Sequence, residues 1–105
     1  MSKKRLIQIE KRIKKIKSDI ILIGEMRPGS LTLQYKDPKK KTGANYQISY
    51  TLNMKSRTDY VRKNCVKETR QQITSYKKFK KLSEEWVMLG IEHAKLSMKV
   101  GLDNG

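Results

Sequence analysis

Basic and hydroxyl side chains that suit phosphate binding occur in three short stretches of the chain. Residues 27–30 read Arg-Pro-Gly-Ser, residues 39–41 are three lysines, and residues 55–58 read Lys-Ser-Arg-Thr. Guanidinium, ammonium and hydroxyl groups beside turns donate hydrogen bonds to phosphate oxygens. The same stretches are also typical of plain exposed turns, and that alternative stays open. The predicted nucleic-acid contact set is Arg27, Ser30, Lys39, Lys40, Lys41, Lys55 and Arg57.

No arrangement of residues in the sequence predicts catalysis. His93 has no cysteine or histidine at metal-ligand spacing, and Cys65 has no histidine near it in the sequence. Glu84 and Glu85 would point in different directions from a helix and form no acid–base pair. The lysine stretch lacks the glycine spacing of a phosphate-binding P-loop. We therefore expect a non-enzymatic protein with no catalytic residue, metal site, cofactor or small-molecule substrate.

The charge of the chain favours a polyanionic partner. Its 105 residues include 25 Lys and Arg against 10 Asp and Glu, for a formal net charge of +15. Such a charge attracts phosphate backbones and repels itself until a counter-charged partner binds. Only the C-terminal part is mildly acidic, because residues 82–105 hold two basic and four acidic side chains. We expect nucleic acid as the partner, DNA in preference to RNA.

The cysteine content and the apolar runs favour the cytoplasm. A single cysteine excludes an intrachain disulfide, which fits a reducing compartment. The longest apolar run near the N-terminus covers residues 20–23, too short for a signal peptide or a membrane span. We expect a cytoplasmic protein with no membrane partner.

Two helical patterns flank the middle of the chain. In the first, apolar residues alternate at spacings of three and four, as in a coiled-coil seam; they are Leu6, Ile9, Ile13, Ile16, Ile20 and Ile23. Gly24 follows where a glycine would end the helix. The second pattern runs over residues 64–100, with a similar apolar stripe. One such helix cannot bury its stripe alone, so we predict that the two helices pair within the chain.

Three stretches between the helices alternate between apolar and polar residues. Residues 30–36, 46–52 and 57–62 have the period of two that is typical of half-buried strands. Residues 53–56 predict a tight hairpin turn. The four strand tyrosines (Tyr35, Tyr46, Tyr50 and Tyr60) are expected to pack on the core side.

The predicted fold class is α+β, with a long helix, a three-stranded antiparallel sheet and a second long helix. It is an antiparallel helical hairpin capped by a small sheet. We predict one domain over residues 1–100 and a frayed tail over residues 101–105.

The second helical pattern is longer than the first, which predicts an overhang. The excess of about 14 residues corresponds to roughly 20 Å of helix. It would expose an apolar stripe over residues 82–100, or a new helix would start at Ser83. The predicted protein interface is Trp86, Leu89, Leu96 and Val100. A second copy or a larger recombinase or nuclease would cover it.

The chain resembles a family of short prokaryotic proteins that are often encoded near transposases and other mobile elements. The resemblance covers roughly residues 5–98 and rests on three features, which are residues 27–32 (Arg-Pro-Gly-Ser-Leu-Thr), Tyr46 and residues 55–61 (Lys-Ser-Arg-Thr-Asp-Tyr-Val). Family members typically carry a cysteine-rich knuckle between the first two strands, whereas residues 36–42 here contain no cysteine. The resemblance implies a mobile-element context and no defined activity.

These observations lead to two functional hypotheses. The first is a non-enzymatic nucleic-acid-binding accessory protein of a mobile element or phage. The alternative is a protein-interaction adaptor whose C-terminal helix docks on a larger recombinase or nuclease. The salt dependence of DNA binding would separate them.

Overall fold

The computed structural model describes residues 2–104, with side chains as far as residue 101. It contains two helices, α1 (Ser2–Ile21) and α2 (Val66–Asn104), and three strands, β1 (Ser30–Asp37), β2 (Thr42–Leu52) and β3 (Lys55–Val61). A 3₁₀ turn at Lys63–Cys65 leads into α2. The strands form one antiparallel sheet in the order β1-β2-β3. The predicted α+β fold, with a sheet between two long helices in the sequence, is confirmed.

The chain divides into two compact units. The helical unit holds the residues up to Ile23 together with those from Lys78 onward, and the sheet unit holds Gly24–Lys77. Helix α2 is continuous through Ser83, so it contributes residues to both units and no new helix starts there. It ends four residues beyond the predicted end at Val100. Gly105, the last residue of the predicted frayed tail, lies outside the described residues, and the single-domain prediction stays a prediction.

In the helical unit, α1 runs antiparallel to the second half of α2. Arg5 forms a two-point ion pair with Glu92, and Arg12 forms another with Glu85. Arg5 and Arg12 are seven residues apart, and so are Glu85 and Glu92. The two ion pairs are therefore one heptad apart on each helix, in opposite chain directions. The heptad seam is confirmed, because none of its six residues is fully exposed and Ile9 and Ile16 are completely buried.

The end of α1 differs from the expectation. The helix stops at Ile21, and the N–H groups of Leu22 and Ile23 donate to the carbonyls three residues earlier. These tighter bonds satisfy the last carbonyls of the helix. Gly24 does not take the left-handed conformation, so its predicted role as the helix-ending glycine was wrong.

The sheet unit is built around Ile48, which is completely buried at the centre of β2. Ile48 packs with Val61 of β3 and Ile73 of α2, and Leu31 and Tyr46 border this core. The strand register places alternate residues on the core side, as predicted.

Tyr60 departs from the prediction for the strand tyrosines. It pairs with Gln47 and lies one residue before Val61, so it is on the face opposite the core. Its side chain is 67% exposed. The expectation that all four tyrosines pack on the core side was therefore wrong for Tyr60.

Gly29 fixes the entry of the chain into β1. Its φ is +136°, and a Cβ atom at this position would lie 2.6 Å from Cγ1 of Ile48 and 2.9 Å from the carbonyl oxygen of Ser49. A side chain is therefore excluded both by the backbone conformation and by the neighbouring atoms. The Arg-Pro-Gly-Ser turn thus has a structural role, which is to let β1 lie close against the most buried residue of the sheet.

Candidate nucleic-acid interface

The three predicted lysines, Lys39, Lys40 and Lys41, lie in the lysine loop, residues 38–41. This loop is the tip of the β1–β2 hairpin, which continues past the last residue of β3: Val61 pairs with Tyr46, whereas the β1–β2 pairing extends to Asp37 and Thr42. The lysines are exposed. A two-stranded extension ending in three cations is well placed to follow a phosphate backbone.

The backbone of the lysine loop is held by local interactions. The Asp37 carboxylate accepts hydrogen bonds from the N–H groups of Lys39 and Lys40, at 3.1 and 3.2 Å. Lys41 takes a left-handed φ of 51°, and Gly43, with a φ of +66°, lies so close to Lys36 that a Cβ atom would overlap it. The loop therefore presents its lysines from a defined turn.

Arg27 is already engaged by groups of its own unit. Its guanidinium lies 3.2 Å from an Asp59 carboxylate oxygen and 5.5 Å from the centre of the Tyr50 ring. The backbone N–H of Arg27 donates to the Gln72 carbonyl in α2. Hydrogen bonding to the Asp59 carboxylate, followed by desolvation, raises the pKa of Tyr50. A phosphate at Arg27 would compete with Asp59, so the arrangement gives Arg27 a structural role that the sequence did not predict.

The predicted contact residues form two groups, one toward each end of the sheet. Ser30 pairs with Ser49 and Arg57 pairs with Tyr50, toward the C-terminal end of β2, whereas the lysine loop lies just before its N-terminal residue, Thr42. The seven residue steps from Thr42 to Ser49 span about 24 Å of strand. The set therefore does not surround one phosphate. Its span matches about seven base pairs of duplex at 3.4 Å per pair.

A basic cleft beside the start of β1 completes the candidate interface and was not predicted. The Ser30 cleft has a volume of about 400 Å³. Its polar lining consists of Ser30, Arg70, Thr74 and Lys77. Arg70 and Lys77 are two turns apart on α2, so they lie on the same side of the helix. Neither forms an ion pair among the described residues. The Thr74 hydroxyl already donates to the Arg70 carbonyl, so the two cations and the Ser30 hydroxyl remain as donors for phosphate oxygens.

A hydrogen-bonded chain of Glu10, His93 and Ser97 is the arrangement in the structure that most resembles catalytic chemistry. Nε2 of His93 lies 3.0 Å from a Glu10 carboxylate oxygen, and Nδ1 lies 3.4 Å from the Ser97 hydroxyl. Acyl transfer also needs free donors for an oxyanion. The backbone N–H groups around Ser97 are inside α2, where they donate to carbonyls four residues earlier. These contacts therefore join α1 to α2, and the helical backbone around Ser97 has no free N–H group to offer an oxyanion.

The predicted overhang of α2 was wrong, because α1 pairs with this part of α2 through Glu85 and Glu92. The predicted interface residues Trp86, Leu89, Leu96 and Val100 are consequently half-buried. The Lys17 ammonium lies 5.2 Å from the centre of the Trp86 ring. Whether these four residues contact a partner stays a prediction.

A different apolar surface of α2, which was not predicted from the sequence, faces solvent. This outer stripe consists of Val87, Ile91 and Met98, which are 62%, 53% and 65% exposed. Its spacings of four and seven residues place the three side chains on one face, roughly opposite the seam that contains Trp86. The signal was present in the sequence as a second heptad pattern, offset by two residues from the first.

Comparison with known proteins identifies no relative: no family model, no curated protein and no solved structure matches this chain. The resemblance to the family associated with mobile elements therefore stays a prediction. No helix in residues 2–104 is both long enough and apolar enough to span a bilayer.

Proposed function

We propose that this protein is a non-enzymatic, nucleic-acid-binding accessory protein that holds duplex DNA by its phosphates. The observation that carries the proposal is the lysine loop, where Asp37 holds the backbone of a turn that presents three exposed lysines. The Ser30 cleft supplies a second group of cations in the same unit. A net charge of +15 gives such a surface a long-range attraction for polyanions.

The same proposal includes a setting in a mobile element or phage and a location in the cytoplasm. The resemblance of the Arg-Pro-Gly-Ser and Lys-Ser-Arg-Thr stretches to proteins of mobile elements supports a role beside a transposase, a recombinase or phage DNA. The single cysteine supports a cytoplasmic location.

The Ser30 cleft gives a sharp test of phosphate binding. A variant carrying both Arg70→Ala and Lys77→Ala is compared with wild type by fluorescence anisotropy on a 20-base-pair DNA duplex. Because each lost charge-assisted contact costs about 1.5–3 kcal/mol and the variant loses two, we expect binding to weaken by about 100-fold or more. The control carries Lys3→Ala and Lys4→Ala, which remove the same charge from α1. Equal weakening in both variants would mean that only net charge matters and that the cleft holds no phosphate.

A second candidate function, association through α2, is favoured by the outer stripe. We propose that a second copy of this chain covers Val87, Ile91 and Met98. Two copies carrying +15 each repel one another over most of their surface. Residues 82–105 hold more acidic than basic side chains, so this segment is where two copies approach with the least repulsion. The adaptor hypothesis, with a larger recombinase or nuclease as partner, would use the same segment.

Light scattering measures this association directly. Wild type is expected to give the mass of a dimer, and Ile91→Glu should return the monomer, because a buried unpaired charge is costly. Glu84→Gln is the control on the same helix. A monomeric wild type across the accessible concentration range would refute self-association, and a complex with a larger partner that Ile91→Glu abolishes would support the adaptor instead.

A further inference from the structure

The tip of the β2–β3 hairpin has features that phosphate binding alone does not explain. Ser30, the first residue of β1, pairs with Ser49, and β2 and β3 continue past this point as a pair for three more residues. These pairs extend about 10 Å. The ribbon ends in a two-residue turn, Asn53-Met54. We define the hairpin tip as residues 52–55.

Met54 at the hairpin tip is in an unfavourable position for a methionine. Both turn residues have positive φ, 52° for Asn53 and 65° for Met54, as in a type I′ turn. Asn-Gly is the preferred sequence for this turn, and a non-glycine residue in the left-handed region costs about 1–2 kcal/mol. The Met54 side chain is 99% exposed. No packing within the protein offsets the cost, and such uncompensated departures from local preference are typical of functional sites.

The surroundings of Met54 combine apolar and cationic groups. Leu52, on the other side of the turn, is half exposed, and Lys55 and Arg57 follow on β3. Residues 50–58 contain no acidic side chain, and neither Lys55 nor Arg57 forms an ion pair among the described residues. The tip is therefore an apolar point at the end of a narrow ribbon, with cations directly behind it.

From this geometry we infer that Met54 is a wedge that enters a base step of duplex DNA and kinks it. The inference rests on the proposed DNA binding and names what the hairpin tip does there. Methionine and leucine are among the side chains that insert between adjacent base pairs from the minor groove and unstack them. The minor groove is about 7.5 Å deep. A ribbon of about 10 Å reaches that depth. Lys55 and Arg57 then lie near the phosphates beside the groove, where they hold the duplex against the tip.

The test measures DNA bending separately from DNA binding. A 20-base-pair duplex with a central TA step, the kind of step that kinks most easily, carries a donor and an acceptor dye at its two ends. Straight, it is about 68 Å long, and a 60° kink shortens the end-to-end distance to about 59 Å. Wild-type protein is expected to raise energy transfer accordingly, and 2-aminopurine at the TA step should brighten as the step unstacks.

Three variants separate the wedge from general effects. Met54→Gly removes the side chain and suits the turn, so it folds and should bind within about tenfold of wild type through the phosphate contacts while leaving the duplex straight. Met54→Leu keeps an apolar wedge and should bend the duplex as wild type does. Met88→Gln changes an exposed methionine of α2 and should alter neither signal.

The outcomes distinguish failure of the wedge from failure of DNA binding. If wild type binds without shortening the duplex, or if Met54→Gly bends it equally, the wedge is refuted and the proposed DNA binding stands. If wild type does not bind the duplex at all, both are refuted. If anionic phosphatidylglycerol vesicles capture wild type but not Met54→Gly, and the duplex stays straight, the tip binds membranes and the wedge is again refuted.

Discussion

Replacing Gly29 with alanine tests the packing on which the sheet unit depends. The new Cβ would lie 2.6 Å from Cγ1 and 2.9 Å from Cδ1 of Ile48, and 2.9 Å from the Ser49 carbonyl oxygen. Ile48 is completely buried, and the carbonyl belongs to β2, so neither neighbour can move freely. The φ of +136° adds a conformational cost that glycine does not have.

The magnitude follows from these two effects. Forcing atoms into a packed core costs about 1–3 kcal/mol, and holding an alanine in a glycine conformation costs about 1–3 kcal/mol more. Gly29→Ala should therefore destabilise the sheet unit by about 2–6 kcal/mol. Since each 1.4 kcal/mol is a factor of ten, hydrogen-exchange protection of the core β2 amides should fall about 30- to 20,000-fold, provided that these amides exchange through unfolding of the unit.

Gly24→Ala is the matched control. It changes the same residue type just before the sheet unit begins its first strand, with no atom within 4 Å of the new Cβ and no left-handed φ. It should leave β2 protection unchanged or slightly raised. The assay is hydrogen exchange followed by NMR on residues 46–50. Protection in Gly29→Ala within threefold of wild type would refute the argument that Ile48 and Ser49 exclude a side chain there.

Two further predictions concern the helical unit. Ile16→Asp should unfold the helical unit, because an unpaired charge at a completely buried position costs more than a small core can offset. Ile21→Asp, at a position that is 81% exposed, should leave the unit folded. Thermal unfolding followed by circular dichroism compares the two variants, and equal melting temperatures would exclude the observed seam. Hydrogen bonds from arginine lower the pKa of both Glu85 and Glu92, so their stabilising effect is present above the ordinary glutamate pKa of 4.5 and is lost as pH falls through the lower folded-state value. Stability of wild type should therefore drop on acidification below about pH 4.5 more than that of a Glu85→Gln, Glu92→Gln variant, and parallel pH profiles would contradict the ion pairs.

The sequence predicted the elements because local patterns are enough to define them. Apolar residues at spacings of three and four predicted α1, and alternation with a period of two predicted the three strands. Each pattern indicates which side of a single element is buried. In β3, Tyr60 and Val61 are adjacent and therefore point to opposite faces of the sheet. The exposed position of Tyr60 thus follows from the same period of two that predicted the strand.

The pairing of the helices could not be obtained from their lengths. The expectation of an overhang rested on the difference in helix length alone, whereas the ion pairs of Arg5 and Arg12 set α1 against the second half of α2. Heptad patterns slide past one another in steps of seven residues with little change in apolar contact. Charged partners more than 70 residues apart select one register.

The candidate interface was predicted only where it depends on residues close in sequence. The position of the lysine loop at a hairpin tip follows from the two flanking strands, which are its neighbours in the sequence. The pairing of Arg27 with Asp59 depends on how the Arg-Pro-Gly-Ser turn meets β3, and the Ser30 cleft depends on how β1 meets α2. Tertiary contacts therefore changed the role of one predicted residue and added Arg70 and Lys77 to the site.

The most direct test of phosphate binding by the sheet unit is the salt dependence of duplex DNA affinity for a lysine-loop variant. Lys39, Lys40 and Lys41 are replaced together by alanine, and the control replaces Lys3, Lys4 and Lys11 of α1, so both variants lose the same charge. The plot of log affinity against log salt should become shallower by about 0.9 for each lost phosphate contact, and so by up to about 2.7 in the lysine-loop variant. The control should keep the wild-type slope. Equal slopes in all three proteins, or the same change in both variants, would contradict phosphate contact by the lysine loop.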